Sequence, residues 1–342
     1  MKNIIQYPYQ EPPKEGTFLQ VAPNIYWIRL PLPLKLDHVN VYALDDGDSW
    51  TIIDTGFDTK KTRKIWIKLL EGPLKGKPVK RVLITHYHPD HIGLAGWFQE
   101  KFDVELLTTR TSWFTARMLV LDEQEKHTDA SLTFYERAGT PSTIYENRKK
   151  QRPFNFCDVV SPMPQGFKRV QEDEIITIGK INWRIRLGNG HAPDHITLWT
   201  DDVVIGGDQL LPSISPNLGV YPNEPEANPV YEWFESCKKL KKFAKNNQLV
   251  LPGHKLPFLG LPLRIDQLIE NHNGALKRLN SFLTQPRTVN DCFLTIFKRE
   301  INEDEYGLAL GEALAHLNYL YLSGKAVRKL GKNNIYYYEK LL

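Results

Sequence analysis

Cysteine is scarce in this chain. Three in 342 residues, Cys157, Cys237 and Cys292, are too few and too scattered to staple a fold or build a thiolate metal site. None forms a CxxC pair, which excludes a zinc ribbon, a thioredoxin-type redox pair and a disulfide framework, and reduced thiols are expected. No apolar run approaches the ~18 residues of a membrane span. The stretch Met1–Pro8 lacks the apolar centre of a secretory leader, so the expectation is a cytoplasmic protein with no membrane partner. Internal repeats and low-complexity tracts are also missing. Charge of one sign is not in excess: 44 Lys and Arg face 40 Asp and Glu, a net charge of +4 that suits an ordinary mixed surface better than a nucleic-acid footprint. What is present is 41% hydrophobic and 11% aromatic residues, enough for a sizeable core and a length that suits two domains.

The densest chemistry lies in Thr85-His86-Tyr87-His88-Pro89-Asp90-His91, where three imidazoles and a carboxylate fall within six residues. Imidazole and carboxylate are the borderline donors that Zn²⁺ prefers, and a solvated turn needs no such set. Val79–Ile84 before it reads as a short strand, so His86 and His88, two apart, project to one side of the strand end. Three further apolar strands, or the loops beyond them, deliver His or Asp at their carboxyl ends. These are the Gly-rich loop Gly188–His195 with His191 and His195, Val203–Gly207 before Asp208, and Leu249–Pro252 before His254. Ile52-Ile53-Asp54 repeats the plan near the amino terminus. Open α/β sheets place their sites at such ends. A lone Asp after a strand is more often a helix N-cap, so the weight rests on the ordered set.

In that order Asp54, His86-Tyr87-His88-Pro89-Asp90-His91, His191, Asp208 and His254 resemble the five motifs of the metallo-β-lactamase superfamily of binuclear hydrolases, over roughly residues 17–260. The resemblance implies an α/β fold, the αββα four-layer sandwich. It implies one metal ion on His86, His88 and His191, a second on Asp90, His91 and His254, and Asp208 bridging the two. Two Zn²⁺ are expected, with iron or manganese as alternatives. Asp54 is a carboxylate that braces the metal loop in the family, and His195 is expected to brace its own loop because the ligand positions are filled. One departure is visible. Relatives acting on lactones and glutathione thioesters often read Gly-His-Thr-Pro-Gly-His, whereas Asp194 stands here in place of the last Gly.

The pattern predicts a catalytic domain over 1–262 with a helical insertion at about 111–152, and an appended domain over 263–342. Strands are expected at 18–21, 25–30, 39–44 and 50–53, and helices at 59–70 and 93–101. The insertion carries the helix-like, aromatic Ser112–Leu121, a second helical stretch at 131–138, and the basic run Arg148–Arg152. Its aromatics either hold the insertion to the core or face substrate. In the loop after Asp208, Tyr221 is the candidate to hydrogen-bond a substrate carbonyl, a role several relatives give to a residue there. His38 either lines the pocket mouth or is structural, and His316 reads as core. Helices at 265–283, 289–298 and 307–322 and a hairpin over 326–338 resemble a winged helix. Lys325, Arg328, Lys329 and Lys332 offer phosphate contacts, yet the region holds 11 Lys and Arg against 9 Asp and Glu. Packing, dimerisation or a wall over the active site is the favoured role.

The donor set implies hydrolysis by a hydroxide shared between two ions, with Asp90 orienting it or passing its proton to the leaving group. The favoured substrate is a small-molecule thioester, lactone or other carboxylic ester; a nuclease or phosphodiesterase acting on RNA or a nucleotide is the alternative. A non-catalytic module is disfavoured because no ligand has been lost. His88→Ala or Asp208→Ala is expected to abolish both metal loading and turnover. Metal analysis beside a hydrolysis assay checks this, and a variant that keeps both ions and full activity contradicts the assignment.

Overall fold

Val39–Leu44 and Trp50–Ile53 are buried residue after residue, the pattern of strands covered on both faces. The computed structural model describes residues 4–341, so residues 1–3 of the stretch Met1–Pro8 and residue 342 lie outside the described residues. It resolves into two compact units. The first comprises the described residues through 123 together with 154–215 and 240–265; the second takes 124–153, 216–239 and the described residues from 266 on.

Two sheets build the first unit. The larger runs in sequence order through β1 (Leu19–Ala22), β2 (Ile25–Pro31), β3 (His38–Asp45), β4 (Trp50–Ile53), β5 (Val79–Leu83), β6 (Glu105–Thr108) and β7 (Lys168–Arg169). Its first four strands pair antiparallel and the rest are parallel. The smaller comprises β8 (Ile175–Ile178), β9 (Ile181–Gly188), β10 (His195–Trp199), β11 (Val203–Gly207) and β12 (Leu249–Pro252), in the order β12-β11-β10-β9-β8. β11 and β12 are parallel and the other pairs antiparallel, so β9, β11 and β12 run the same way. Trp27, Tyr42, Ile53 and Leu83 of one sheet share a core with Trp183, Ile185, Ile205 and Leu251 of the other. The smaller sheet is also buried on its outer side, where Val204 and Val250 are inaccessible.

Four helices complete this unit: α1 (Lys60–Glu71), α2 (Pro89–Ile92), α3 (Ala95–Phe102) and α4 (Arg110–Leu121). α1 starts where Thr59 Oγ1 accepts from the Thr62 N–H at 3.0 Å, and its Ile65, Trp66 and Leu69 fall on one face. That face and Trp97 and Phe98 of α3 pack on Ile28, Val41, Ile52 and Val82 of the larger sheet. The helix expected over 93–101 is α3, which starts two residues later, and the separate turn of helix α2 precedes it. Leu94 leaves helical geometry, and Gly93 is pressed so close to other backbone that a Cβ there would lie 2.4 Å from the Gly56 carbonyl oxygen. In α4, Trp113 is core, stacked on Phe167 at 4.9 Å, whereas Phe114, Met118 and Leu121 are exposed. The reading of the insertion's aromatics as core contacts thus holds for Trp113 and not for Phe114.

The second unit holds α5 (Asp129–Arg137), α6 (Ser142–Lys150), most of α7 (Pro229–Lys241) and α8 (Leu261–Phe282), then α9 (Phe293–Phe297), α10 (Tyr306–Leu322) and a hairpin of β13 (Ala326–Leu330) and β14 (Tyr336–Lys340). The order of helices and hairpin in the carboxyl-terminal region follows the sequence pattern, though 289–298 divides into a 3₁₀ turn and the short α9. Arg148, Lys149 and Lys150 close α6, where the helix dipole favours cations. All three cysteines are free thiols. Among the described residues no helix is long and apolar enough to cross a membrane.

Candidate metal centre

Five strands of the first unit end in a candidate residue or lead into the loop that carries it. β4 runs into Asp54, β5 into Thr85–His91, β9 into the loop of His191, β11 into Asp208 and β12 into His254. The two sheets thereby assemble what the sequence scatters over 200 positions. His86–His88–His191, His86–His91–Asp208 and Asp90–His91–His254 each hold their donor atoms within 4.8 Å of one another. His86 Nε2 and His88 Nδ1 stand 3.0 Å apart, and His91 Nε2 lies 3.4 Å from Asp208 Oδ1 and 3.5 Å from Asp90 Oδ2. Asp208 Oδ2 is 3.1 Å from His254 Nε2 and 3.5 Å from His191 Nε2, so it touches both expected ligand sets.

The other nitrogen of His86, His91 and His254 is fixed from outside. Asp54 Oδ2 accepts from His91 Nδ1 at 2.8 Å and from the Thr85 hydroxyl at 2.8 Å, while its Oδ1 accepts from the Thr85 N–H at 2.8 Å. With its own proton given to Asp54, Thr85 Oγ1 is the acceptor for His86 Nδ1 at 3.0 Å. His254 Nδ1 donates to the His38 carbonyl at 2.7 Å. Such contacts set the tautomer and leave the inward nitrogen bare. His195 lies stacked on His86 (centroids 4.4 Å apart, planes 23° apart), and its Nε2 accepts from the Asp208 N–H at 3.1 Å.

Electrostatics divide the cluster. Burial, reinforced by neighbouring imidazoles, drives His86 well below the usual imidazole range and His88 to about 3, so both rings are neutral. Burial opposes charge on His91 and His254 as well, but Asp90 and Asp208 overcome it, raising His91 well above its ordinary value and His254 to about 10. Burial likewise works against the carboxylates, yet His91 and His254 hold Asp90 down to about 2 and Asp208 well below the usual range. The pocket is thus built for positive charge. Donors of one tetrahedral ion at about 2.0–2.2 Å stand roughly 3.3–3.6 Å apart, close to the spacings here. His91 Nε2 and Asp208 Oδ1 are buried with no hydrogen-bond partner among the described residues, a costly state that a cation would relieve. The residues fit a metal centre.

Asp194, where relatives have glycine, is held in a turn of its own loop. It adopts φ +50°, a left-handed conformation that Asp tolerates better than most residues. Its N–H donates to Asn189 Oδ1 at 2.8 Å, and its carboxylate accepts from the Thr111 hydroxyl at the start of α4. Tyr221 belongs to the second unit, is partly exposed, and donates from its hydroxyl to Asn217 Oδ1 at 3.3 Å. His38 proves structural: its Nδ1 pairs with Asp37 and its Nε2 accepts from the Lys255 N–H at 3.0 Å. Sequence reasoning missed Asn40 and Tyr42. Asn40 Nδ2 donates to the Pro252 and Lys255 carbonyls at 3.0 and 2.9 Å, and the Tyr42 hydroxyl to Pro252 at 2.8 Å, clasping the turn that carries His254. The available signal was the alternation His38, Asn40, Tyr42 along an otherwise apolar strand.

The fold and this donor set define a class, and comparison with known proteins agrees. Residues 34–254 match the model of the metallo-beta-lactamase superfamily, and 276–341 match that of the metallo-beta-lactamase-like C-terminal domain. The chain belongs to the metallo-beta-lactamase superfamily and is a metallo-hydrolase of that class. It is 34% identical to a Beta-lactamase domain protein from Burkholderia ambifaria, with a TM-score of 0.90 and 98% of each chain covered. A metallo-beta-lactamase family protein from Thermus thermophilus is 27% identical, with a TM-score of 0.77 over 94% of this chain and all of that one. The Bacillus subtilis protein named "Probable metallo-hydrolase YqjP" is 24% identical over 325 residues, 93% of this chain and 98% of the relative.

Gly253 tests how closely the centre is fitted. A Cβ there would lie 2.2 Å from Asp208 Oδ1 and 2.9 Å from His91 Cε1, although its φ permits any residue. Gly253→Ala is expected to yield folded protein whose metal affinity falls by about 10–100-fold, the range seen when groups supporting ligands are disturbed. Titration with Zn²⁺ against a competing chelator measures this, and unchanged affinity would show that Asp208 does not bind metal from this position.

Proposed function

We propose that this metallo-hydrolase cleaves a carboxylic ester bond, as a thioester, lactone or simple ester, in a small molecule with an apolar acyl portion. Its centre would take two Zn²⁺, with iron or manganese as alternatives, which His86, His88 and His191, Asp90, His91 and His254, and the shared Asp208 would hold. When bound, the ions would polarise the scissile carbonyl and lower the pKa of a water from about 15.7 towards 7. The chain supplies the rest. Asp54, through His91 and Thr85, keeps the imidazoles in one tautomer. Asp90, held as a carboxylate, is the group placed to receive the proton of the attacking water and return it to the leaving oxygen or sulfur.

The observation that carries the substrate class is α4. Thr111 at its start is tied to Asp194 in the loop of His191. From there Phe114, Met118 and Leu121, at i, i+4 and i+7, form an apolar stripe 58%, 50% and 70% exposed. Exposed apolar surface on a helix anchored to the loop of His191 suits an acyl group better than a phosphodiester. The nuclease alternative drew on the basic hairpin, where Arg328 is already engaged. It pairs with Glu226 at 2.8 and 3.0 Å and lies over Tyr321 and Tyr336 at 4.5 and 4.6 Å.

Across a series of acyl thioesters and p-nitrophenyl esters, kcat/KM is expected to rise by up to about fourfold per added methylene, the equivalent of ~0.8 kcal/mol per buried CH₂. Phe114→Ser should flatten that rise. Preferential turnover of bis-p-nitrophenyl phosphate, or a profile flat in chain length, contradicts the proposal.

A further inference from the structure

Three side chains of the second unit repeat the donor chemistry of the metal centre. Glu312 and His316 sit one turn apart on α10, at i and i+4, and so share a face. His272 on α8 meets them, and one donor atom from each of the three lies within 4.8 Å of the others. His272 Nδ1 and His316 Nε2 are 3.2 Å apart, beside 3.0 Å for His86 and His88. The outer nitrogen of His316 is anchored as those of His91 and His254 are: Nδ1 donates to the Glu312 carbonyl at 2.8 Å, which turns a bare Nε2 towards His272.

A plain hydrogen bond between the rings accounts for this only in part. With His316 Nδ1 protonated, His272 Nδ1 must be the donor, and its Nε2 becomes a lone pair. That atom is buried, in a ring only 1% exposed, and has no hydrogen-bond partner among the described residues. A cation between the two rings would take both inward lone pairs in place of the ring-to-ring hydrogen bond. Both inward nitrogens then offer lone pairs, and the His272 proton moves to Nε2, on a ring whose centroid lies 6.4 and 6.5 Å from those of Trp233 and Phe234. Burial holds His272 at about 3 and His316 at about 4, the neutral state a ligand requires. Burial also pushes Glu312 up to about 7, a cost that a neighbouring cation would offset.

We propose that His272, His316 and Glu312 form a second metal site, separate from the catalytic centre, which binds a borderline divalent cation of the Zn²⁺ class and clamps α8 to α10. Two imidazoles and one carboxylate select such an ion over Mg²⁺ or Ca²⁺, which prefer all-oxygen sites. Three protein donors leave a fourth position for water.

Glu312→Gln preserves size and the contact with Asn217 Nδ2 at 3.2 Å; His272→Asn removes a donor from the other helix. After gel filtration of zinc-loaded full-length protein, each variant is expected to carry one Zn²⁺ fewer per chain than the wild type. An unchanged count in both overturns the site. Should the variants not fold, wild-type crystals grown with ZnCl₂ and measured at the zinc edge decide alone. An anomalous peak between the three side chains is expected, and a filled catalytic centre with nothing at this position rejects the proposal.

Discussion

The Asp54 carboxylate is the constraint on which the metal centre depends. It is 2% exposed and sits at the end of β4 in a left-handed conformation, φ +61°, that turns its side chain across to the end of β5. One carboxylate then holds the Thr85 N–H and hydroxyl and the His91 ring, and through Thr85 it fixes the His86 ring as well. Thr55 adds its N–H and hydroxyl to the His91 carbonyl at 2.8 and 2.9 Å. Because β4 and β5 are parallel neighbours, sheet register places these groups together. Burying such a carboxylate is costly unless its oxygens are bonded; here both are, and the bonds that offset the cost also aim the ligands.

The smaller sheet contributes the opposing side by a different device. Asp208 and His254 follow the parallel strands β11 and β12, and Gly253 leaves room for the Asp208 carboxylate where any side chain would intrude. The turn after β12 is clasped from β3 by Asn40 and Tyr42, whose partners lie over 200 residues away in sequence. The centre is thus the meeting of two sheets, each with its own bracing. Asp208, in contact with His91, His191 and His254, is the group common to both expected ligand sets.

How much of this the sequence disclosed follows from the range of the interactions. His86–His91 is legible because donors spaced within six residues need only one strand end to converge, and the later His and Asp residues are legible because apolar strands announce their ends. The clasp on the His254 turn is not, since nothing local ties Asn40 to Pro252. The start of α3 at Ala95 rather than Gly93 was not legible, because the backbone that crowds Gly93 comes partly from Gly56, on another strand's loop. His316 reads correctly as buried in an apolar helix, but its nearness to His272 depends on how α8 and α10 pack, which periodicity does not specify. Asp194 stands where relatives have a glycine, and what it does there, a left-handed φ and a bond to Thr111 at the start of α4, depends on a contact 83 residues away in sequence.

The central claim is that a buried acid and imidazole set, braced by Asp54, is completed by metal and hydrolyses through it. Its most direct test is to strip the protein with a chelator and restore Zn²⁺ stepwise, reading bound metal and ester turnover on the same samples. The account predicts negligible turnover in the stripped protein and recovery that follows occupancy of the centre. Full turnover by metal-free protein would contradict it.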